Sequence, residues 1–181
     1  MKALDIFTVG HSTRTIEELL ALLAANRIER LVDVRTIPRS RHNPQFNREI
    51  LAAAVRREGI GYIHLKSLGG LRHAKKDSIN RGWRTPGFRG YADYMQTPEF
   101  ERALARLIGF ARKKRIALLC AEAVPWRCHR SLIADALAAR GVAVRHILSA
   151  KTARSHTLTP WAKVEGTRMT YPGLPLAPAD G

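Results

Sequence analysis

The stretch IALLCAEAVPWRCHRSLIADALAARGVAVRHI, residues 116–147, contains a complete strand–helix–strand unit. Residues 116–120 are short and apolar, as a buried parallel strand requires, and residues 142–147 form a second predicted strand. Between them, the apolar spacing predicts a helix from about Trp126 to Ala139 that ends at Gly141. A strand, a helix and a strand in such close succession favour a parallel, right-handed βαβ unit.

The same alternation of strands and helices extends toward the N-terminus. Thr15 and Glu18 have the spacing of a capping box, which predicts the start of the first helix. Gly59 stands where a left-handed residue ends the second helix, and Thr97-Pro98 opens a later one. The sequence therefore predicts an α/β fold of three layers, with helices on both faces of a mainly parallel sheet of about five strands at residues 4–9, 30–34, 60–64, 116–120 and 142–147.

The length and composition indicate one globular unit. The chain has 181 residues, and we expect residues 1–173 to form a single α/β domain and residues 174–181 a flexible C-terminal tail. No apolar run approaches the roughly 18 residues of a membrane span, and no signal-peptide pattern is present. Two cysteines are too few for a disulfide framework, so we expect a cytoplasmic location and no membrane partner.

The net charge is unusual. Lys plus Arg is 31 against 15 for Asp plus Glu, which gives +16 and favours a polyanionic partner such as DNA or RNA. The alternative explanation is an arginine-rich proteome in which these side chains fill ordinary solvated positions. A long basic segment over residues 65–90 is predicted as a functional loop, and its candidate nucleic-acid contacts are Lys66, Arg72, Lys75, Lys76, Arg81 and Arg84.

Polar residues gather at the predicted carboxyl ends of the strands, where ligands bind in folds of this class. If the five strands are parallel, these side chains share one edge of the sheet and form a candidate active site. They come from Gly10-His11-Ser12, Asp33 with Arg35, His64, Cys120-Ala121-Glu122 and His146.

The turn Cys128-His129-Arg130 adds a predicted anion site. The first turn of a helix is electropositive, so Arg127 and Arg130 near this helix start require a negative group to offset them. The same field should lower the pKa of Cys128. The alternative is that Cys128 is simply a small buried residue and that Arg130 is a structural partner of Asp33 or Glu122.

Three chemistries compete at this turn. Phosphatase-like catalysis requires an arginine six residues after the cysteine, and neither Cys120 nor Cys128 has one. The strand end around Asp33-Val34-Arg35, followed by Cys120, is similar in order to rhodanese domains, which keeps sulfur transfer as an alternative. Zinc could use these cysteines with His129 and His146, but the adjacent Cys128-His129 pair is poor chelate spacing, so we expect no metal and no cofactor.

A family resemblance supports the same residues. In chain order the motifs resemble the domain of unknown function 488 family from about residue 6 to residue 173. They are Thr8-Val9-Gly10-His11-Ser12, Asp33-Val34-Arg35 with Pro38 and Ser40, Leu68-Gly69-Gly70, Cys120-Ala121-Glu122, Cys128-His129-Arg130, His156-Thr157-Leu158-Thr159-Pro160 and Tyr171-Pro172. The resemblance implies an α/β fold of bacterial and archaeal proteins and supports the choice of site residues without supplying a reaction.

We assign candidate roles by side-chain chemistry. The catalytic candidates are acids, bases and a thiol: His11, Glu122, Cys128 and His129. The anion-binding candidates are Ser12, Arg35, Arg127 and Arg130. Five residues are expected to shape the site: Gly10, Asp33, Ser40, Gly69 and Gly70. The two adjacent glycines are expected to supply a positive-φ turn that lets backbone approach the site.

Three functions follow from these assignments. The first is an enzyme-like domain that binds a phosphate-bearing substrate, either nucleic acid or a nucleotide-like small molecule. The second is a non-catalytic nucleic-acid-binding module that uses the basic segment. The third is rhodanese-like thiol chemistry at Cys120 or Cys128. The sequence leaves open whether the protein is an enzyme and what its oligomeric state is.

Overall fold

The computed structural model describes residues 4–173 and contains a six-stranded, mostly parallel sheet with five α-helices around it. The strands are β1 (Asp5–Gly10), β2 (Arg30–Asp33), β3 (Gly61–His64), β4 (Ile116–Cys120), β5 (Ala143–Ile147) and β6 (Ala153–Ser155), followed by a hairpin of β7 (Lys163–Glu165) and β8 (Arg168–Thr170). The helices are α1 (Ile16–Ala25), α2 (Arg48–Arg57), α3 (Pro86–Tyr94), α4 (Pro98–Lys113) and α5 (Arg130–Ala138). The expected tail, residues 174–181, lies outside the described residues.

The sheet order is β3-β2-β4-β1-β5-β6, with the first five strands parallel and β6 antiparallel to β5. Successive strand residues face opposite sides, so Ile6 belongs to one hydrophobic core and Phe7 to the other. One core also contains apolar residues of α3, α4 and α5, and the other those of α1 and α2. The predicted three-layer α/β fold is confirmed, with one more strand than expected.

Local signals placed several elements correctly. The Thr15 hydroxyl accepts from the Glu18 amide while the Glu18 carboxylate accepts from the Thr15 amide, which completes the capping box before α1. Gly59 follows α2 with φ of +74°, a left-handed conformation that costs glycine little. Thr97 caps α4 by accepting from the Phe100 amide.

Two predictions about the boundaries of elements were wrong. The helix after β4 begins at Arg130 and not near Trp126, because residues Pro125–Arg127 form a 3₁₀ turn and Cys128 has an extended backbone. The basic segment is not a structureless loop to residue 90, because α3 begins at Pro86. Proline is favoured at the first position of a helix and so indicates the start of α3. Gly87 and Gly90 disfavour a helix, so the sequence pattern did not predict α3.

A buried chain of hydrogen bonds crosses from β1 to the C-terminal segment. Asp135 accepts from His156 Nε2 at 2.8 Å, and His156 Nδ1 then accepts from His146 Nε2 at 3.0 Å. His146 Nδ1 in turn accepts from the Thr8 hydroxyl at 2.7 Å. The buried Tyr171 hydroxyl donates to the second Asp135 oxygen at 2.8 Å. These bonds fasten residues 156–171 to the core.

Within residues 4–173, no helix is both long and apolar enough to cross a membrane.

Candidate functional site

A cleft of about 820 Å³ opens at the carboxyl ends of the parallel strands. It brings together nine of the predicted site residues, which come from the ends of β1 and β4, the loop after β2, the glycine turn and the start of α5. They are His11, Ser12, Arg35, Ser40, Gly70, Glu122, Arg127, Cys128 and His129. Asp33 and Arg130 lie buried and are not among the lining residues.

Arg35 is bound to the protein's own carboxylate. Its Nε and one Nη donate to the two Asp33 oxygens at 2.9 Å and 2.6 Å, and both side chains are buried. Tyr62 donates to Asp33 at 2.6 Å, and Arg35 also donates to the Phe46 carbonyl at 2.9 Å. The bidentate fork of Arg35, expected to hold a bound anion, therefore already holds Asp33.

His11 lies between Arg35 and the turn after β1. Its Nδ1 donates to the Ser12 carbonyl at 2.9 Å, which leaves Nε2 to accept from the remaining Arg35 nitrogen at 3.3 Å. The ring stacks on Phe46 with centroids 4.3 Å apart. Burial, assisted by the Arg35 charge, lowers the pKa of His11 to about 4 although the Ser12 bond opposes this shift. Near neutral pH, His11 is therefore an uncharged hydrogen-bond acceptor.

The turn after β1 is joined to the end of β4. The amides of His11 and Ser12 donate to the carbonyls of Cys120 and Ala121 at 3.0 Å and 2.8 Å. Ser12 has φ of +48°, a conformation that is uncommon outside glycine and that clusters at functional sites. These bonds hold the His11 turn against the strand that carries Cys120.

Two sulfur atoms and an imidazole converge on the floor of the cleft. His129 Nδ1 lies 3.6 Å from Cys128 Sγ and 3.9 Å from Cys120 Sγ. His129 Nε2 donates to the Val34 carbonyl at 3.1 Å. Because that carbonyl can only accept, Nε2 carries a proton, and the ring presents its Nδ1 to both sulfurs.

Arg130 lies beneath this cluster and is 1% exposed. Its Nε donates to Cys128 Sγ at 3.4 Å, and its other nitrogens donate to Thr8 Oγ1 and the Glu122 carbonyl. Within the described residues, no carboxylate lies within ion-pair distance of Arg130. A buried guanidinium requires a nearby negative group, and the cysteine sulfur is the group in contact with it.

The two thiols differ in acidity. Burial alone would raise the pKa of Cys128, but hydrogen bonds with Cys120 and His129, followed by the neighbouring positive charges that include Arg130, outweigh it, so its pKa falls well below the usual range. The hydrogen bond to Cys128, followed by burial, raises the pKa of Cys120 well above its usual range. The pair therefore favours one thiolate, on Cys128. This environment agrees with the thiol chemistry considered above, which stays a prediction.

Three glycines allow close contacts around the cluster. A Cβ on Gly10 would lie 1.7 Å from the Glu122 carbonyl oxygen, and one on Gly70 would lie 2.5 Å from His129 Nδ1. A Cβ on Gly69 would lie 2.4 Å from Thr36 Oγ1. The expected positive φ at Gly69 and Gly70 was wrong, because neither is among the left-handed glycines. Neighbouring atoms leave no room for a side chain at these positions, so glycine is required there.

Ser40 orders the loop that covers one side of the cleft. Its amide donates to Asn47 Oδ1 at 2.9 Å, and its hydroxyl accepts from the Asn43 amide at 3.0 Å. Asn47 is the residue before α2, and its side chain holds this loop instead of capping the helix. Ser40 therefore acts on the site through the shape of residues 40–47.

The six candidate nucleic-acid contacts of the basic segment are not among the residues that line the cleft, and their side chains differ in exposure. Arg72 lies over the Tyr94 ring at 3.5 Å and donates to the Ser67 and Gly69 carbonyls, which makes it part of the packing. Asp93 holds the segment in place, because its carboxylate accepts hydrogen bonds from three of the segment's residues. The other five candidate contacts are exposed: Lys66, Lys75, Lys76, Arg81 and Arg84.

A second cleft of about 480 Å³ was not predicted. It is lined by Trp83, Trp126 and Trp161, which are all three tryptophans of the chain, together with Arg154 and His156. Trp126 and Trp161 are 57% and 43% exposed. The three tryptophans are far apart in the sequence, so no local pattern indicated that they meet.

The fold and the site together define an α/β protein whose strand-end cleft has two cysteines, a histidine and a buried arginine on its floor. The family model described as domain of unknown function DUF488 matches residues 15–137, about two thirds of the chain. The chain belongs to that family. Gly10-His11-Ser12 lies before the matched range, whereas Cys120 and the Cys128-His129-Arg130 turn lie within it. Comparison with curated proteins and with solved structures gave no match.

Proposed function

We propose that the protein is an enzyme that binds the phosphate group of a nucleotide-like or nucleic-acid substrate in the strand-end cleft. The positive charge of the residues that line the cleft is the observation that supports this proposal. Arg39 and Arg127 are exposed at the cleft, and neither has an ion-pair partner among residues 4–173. Glu122 is the only acidic residue among the described lining residues. An anionic group therefore meets unpaired guanidinium groups, which bind phosphate oxygens in pairs.

The size and the remaining surface of the cleft suit a substrate with an apolar ring. Small-molecule sites commonly occupy about 300–1,000 Å³, and this cleft has about 820 Å³. Ile37 and Leu71 line it and are 62% and 69% exposed, and the half-buried Phe88 lies beside them. These side chains offer a base or similar ring a surface to pack on while its phosphate meets the arginines.

Glu122 is the general base in this proposal. Its backbone carbonyl accepts from Arg130, which fixes the position of the residue, and Glu122 is exposed and lines the cleft. A carboxylate so placed can accept a proton from a water or hydroxyl nucleophile. His11 serves as a positioning residue, because both of its ring nitrogens are engaged by Ser12 and Arg35.

A charge-matched pair of variants tests the phosphate site. Arg39→Gln with Arg127→Gln removes the cleft charges, and Arg56→Gln with Arg57→Gln removes two exposed charges from the last turn of α2. Binding of pyrophosphate and AMP is measured by calorimetry at two salt concentrations. A charge-assisted hydrogen bond is worth about 1.5–3 kcal/mol, so the cleft variant should bind about 10-fold more weakly or worse. Equal losses in the two double variants would refute a specific site.

A second candidate, a non-catalytic nucleic-acid-binding module, is favoured by the cleft of three tryptophans. Two of those rings, Trp126 and Trp161, are exposed, and the neighbouring basic segment offers exposed Arg81 and Arg84. Aromatic platforms beside basic side chains are typical of proteins that bind single strands, where each stacked base contributes about 1–3 kcal/mol.

The two candidates respond to different substitutions. If the protein is a binding module, neutralising four exposed side chains should abolish binding of a short oligodeoxythymidylate, while the double cleft variant should leave it intact. The four changes are Lys75→Gln, Lys76→Gln, Arg81→Gln and Arg84→Gln. Wild-type binding should also weaken steeply with salt, because each neutralised phosphate releases counterions. If the four-fold variant binds the oligonucleotide with the wild-type affinity, the nucleic-acid-binding module is excluded.

A further inference from the structure

The floor of the cleft carries a donor set that the proposed function does not use. We propose that Cys120, Cys128 and His129 bind a zinc ion with an open fourth position facing the cleft. Their ligand atoms all lie within 4.8 Å of one another, and within the described part of the chain only these three residues form such a group. The proposal rests on the geometry of these donors and holds whether or not the cleft takes a phosphate.

The separations match those of a tetrahedral site. Zinc bonds of about 2.3 Å to sulfur and 2.0–2.1 Å to nitrogen, at a tetrahedral angle, place a sulfur and a nitrogen about 3.6 Å apart. His129 Nδ1 lies 3.6 Å from Cys128 Sγ and 3.9 Å from Cys120 Sγ. One ion can therefore reach all three donors with shifts of a few tenths of an ångström.

The imidazole is held in the form that binds metal. The bond from His129 Nε2 to the Val34 carbonyl fixes the tautomer, as carbonyls do for most metal-binding histidines. The ring has little freedom to turn, because Gly70 lies against it on one side and the Tyr91 ring lies 5.1 Å away. The adjacency of Cys128 and His129 argued against a chelate in the sequence, but Cys120 completes it from the end of β4.

The donor atoms and the neighbouring Arg130 indicate which class of metal the site binds and which kind of fourth ligand it favours. Sulfur and imidazole donors select zinc over magnesium or calcium, which prefer oxygen. Two thiolates neutralise a divalent ion, and the buried Arg130 then leaves one positive charge in contact with Cys128. That excess favours an anion at the fourth position, either hydroxide or an oxygen of an anionic substrate. Three protein ligands with a position open to a cleft are typical of catalytic rather than structural zinc.

Metal analysis of untagged protein tests the site. Protein purified without chelators should contain about one zinc per chain, and cobalt added to the metal-free protein should give the intense visible absorption of a tetrahedral thiolate site. Cys120→Ser and His129→Gln should each weaken zinc binding by more than about 100-fold, since changes outside the ligand shell already cost 10–100-fold. His42→Gln, an exposed histidine outside the donor group, is the matched control and should bind as wild type does.

Several results would overturn the site. They are a wild-type chain that neither contains nor takes up zinc, a Cys120→Ser variant that keeps wild-type affinity, and a Cys120–Cys128 disulfide in freshly purified protein. Zinc should also raise the melting temperature of metal-free wild type. This measurement tests the zinc site on the wild-type protein, even if a variant folds poorly. Pyrophosphate binding is measured on the same samples, which separates failure of the metal site from failure of the phosphate site.

Discussion

Gly70→Ala is the substitution that tests the packing of the cleft floor most directly. The added Cβ would lie 2.5 Å from His129 Nδ1 and 2.9 Å from its Cγ, distances that real Cβ contacts do not reach. The ring must therefore move, and its bond to the Val34 carbonyl must stretch or break. Overpacking costs about 1–3 kcal/mol, and a lost hydrogen bond adds about 1 kcal/mol. We expect the free energy of unfolding to fall by about 2–4 kcal/mol.

Urea denaturation of wild type and four variants measures this effect and assigns it to the ring. Gly87→Ala is the control, because a Cβ there has no neighbour within 4 Å and the residue lies in the first turn of α3. Combining Gly70→Ala with His129→Ala removes the clash, so the double variant should be more stable than the sum of the two single losses predicts. Strict additivity, or a Gly70→Ala loss no larger than that of Gly87→Ala, would refute this account of the glycine.

Two further predictions concern buried charge. Burial lowers the pKa of His146 to about 3 from 6.5, so below pH 6.5 the unfolded chain takes up a proton that the folded chain refuses until about pH 3. His146 should therefore contribute a fall in stability of about 1.4 kcal/mol per pH unit between those values, in addition to the fall from His11, and His146→Gln, unlike His42→Gln, should remove that contribution in urea titrations at pH 7 and 5. Asp33→Asn should cost about 3–5 kcal/mol, because it leaves the buried Arg35 without its carboxylate, whereas Glu29→Gln at an exposed pair should leave the melting temperature unchanged. A small loss for Asp33→Asn in thermal melts would contradict the assignment.

The sequence predicted the sheet because each strand is a short apolar run between clear stop signals. The apolar run at residues 116–120 gave β4 with correct bounds, and the Thr15–Glu18 spacing gave the start of α1. Elements that depend on tertiary contacts were missed. Strand β6 has three residues and forms by pairing with β5, and α3 is stabilised by packing of Tyr91 and Tyr94 despite its glycines.

The sequence predicted where the candidate site lies in the fold, but not which hydrogen bonds its side chains form. Parallel strands bring their carboxyl ends to one edge, which is why His11, Glu122 and Cys128 were expected together. The partner of Arg35 and the direction of His129 depend on side-chain torsions and on the 3₁₀ turn at residues 125–127, which carries Cys128 back toward Cys120. Periodicity contains no information on either.

The hydrogen-bond chain that fastens the C-terminal segment has a direction. Arg130 donates to Thr8, and every later donor points the same way through two histidines until Asp135 accepts. The Arg130 guanidinium and the Asp135 carboxylate are thus connected by hydrogen bonds through Thr8, His146 and His156, and such chains polarise their members. Because His156 is one of those groups, release of residues 156–171 from the core would break this chain of hydrogen bonds, although Arg130 and Asp135 themselves stay on α5. Arg130 contacts both Thr8 and Cys128, so the C-terminal segment and the floor of the cleft are joined through one side chain.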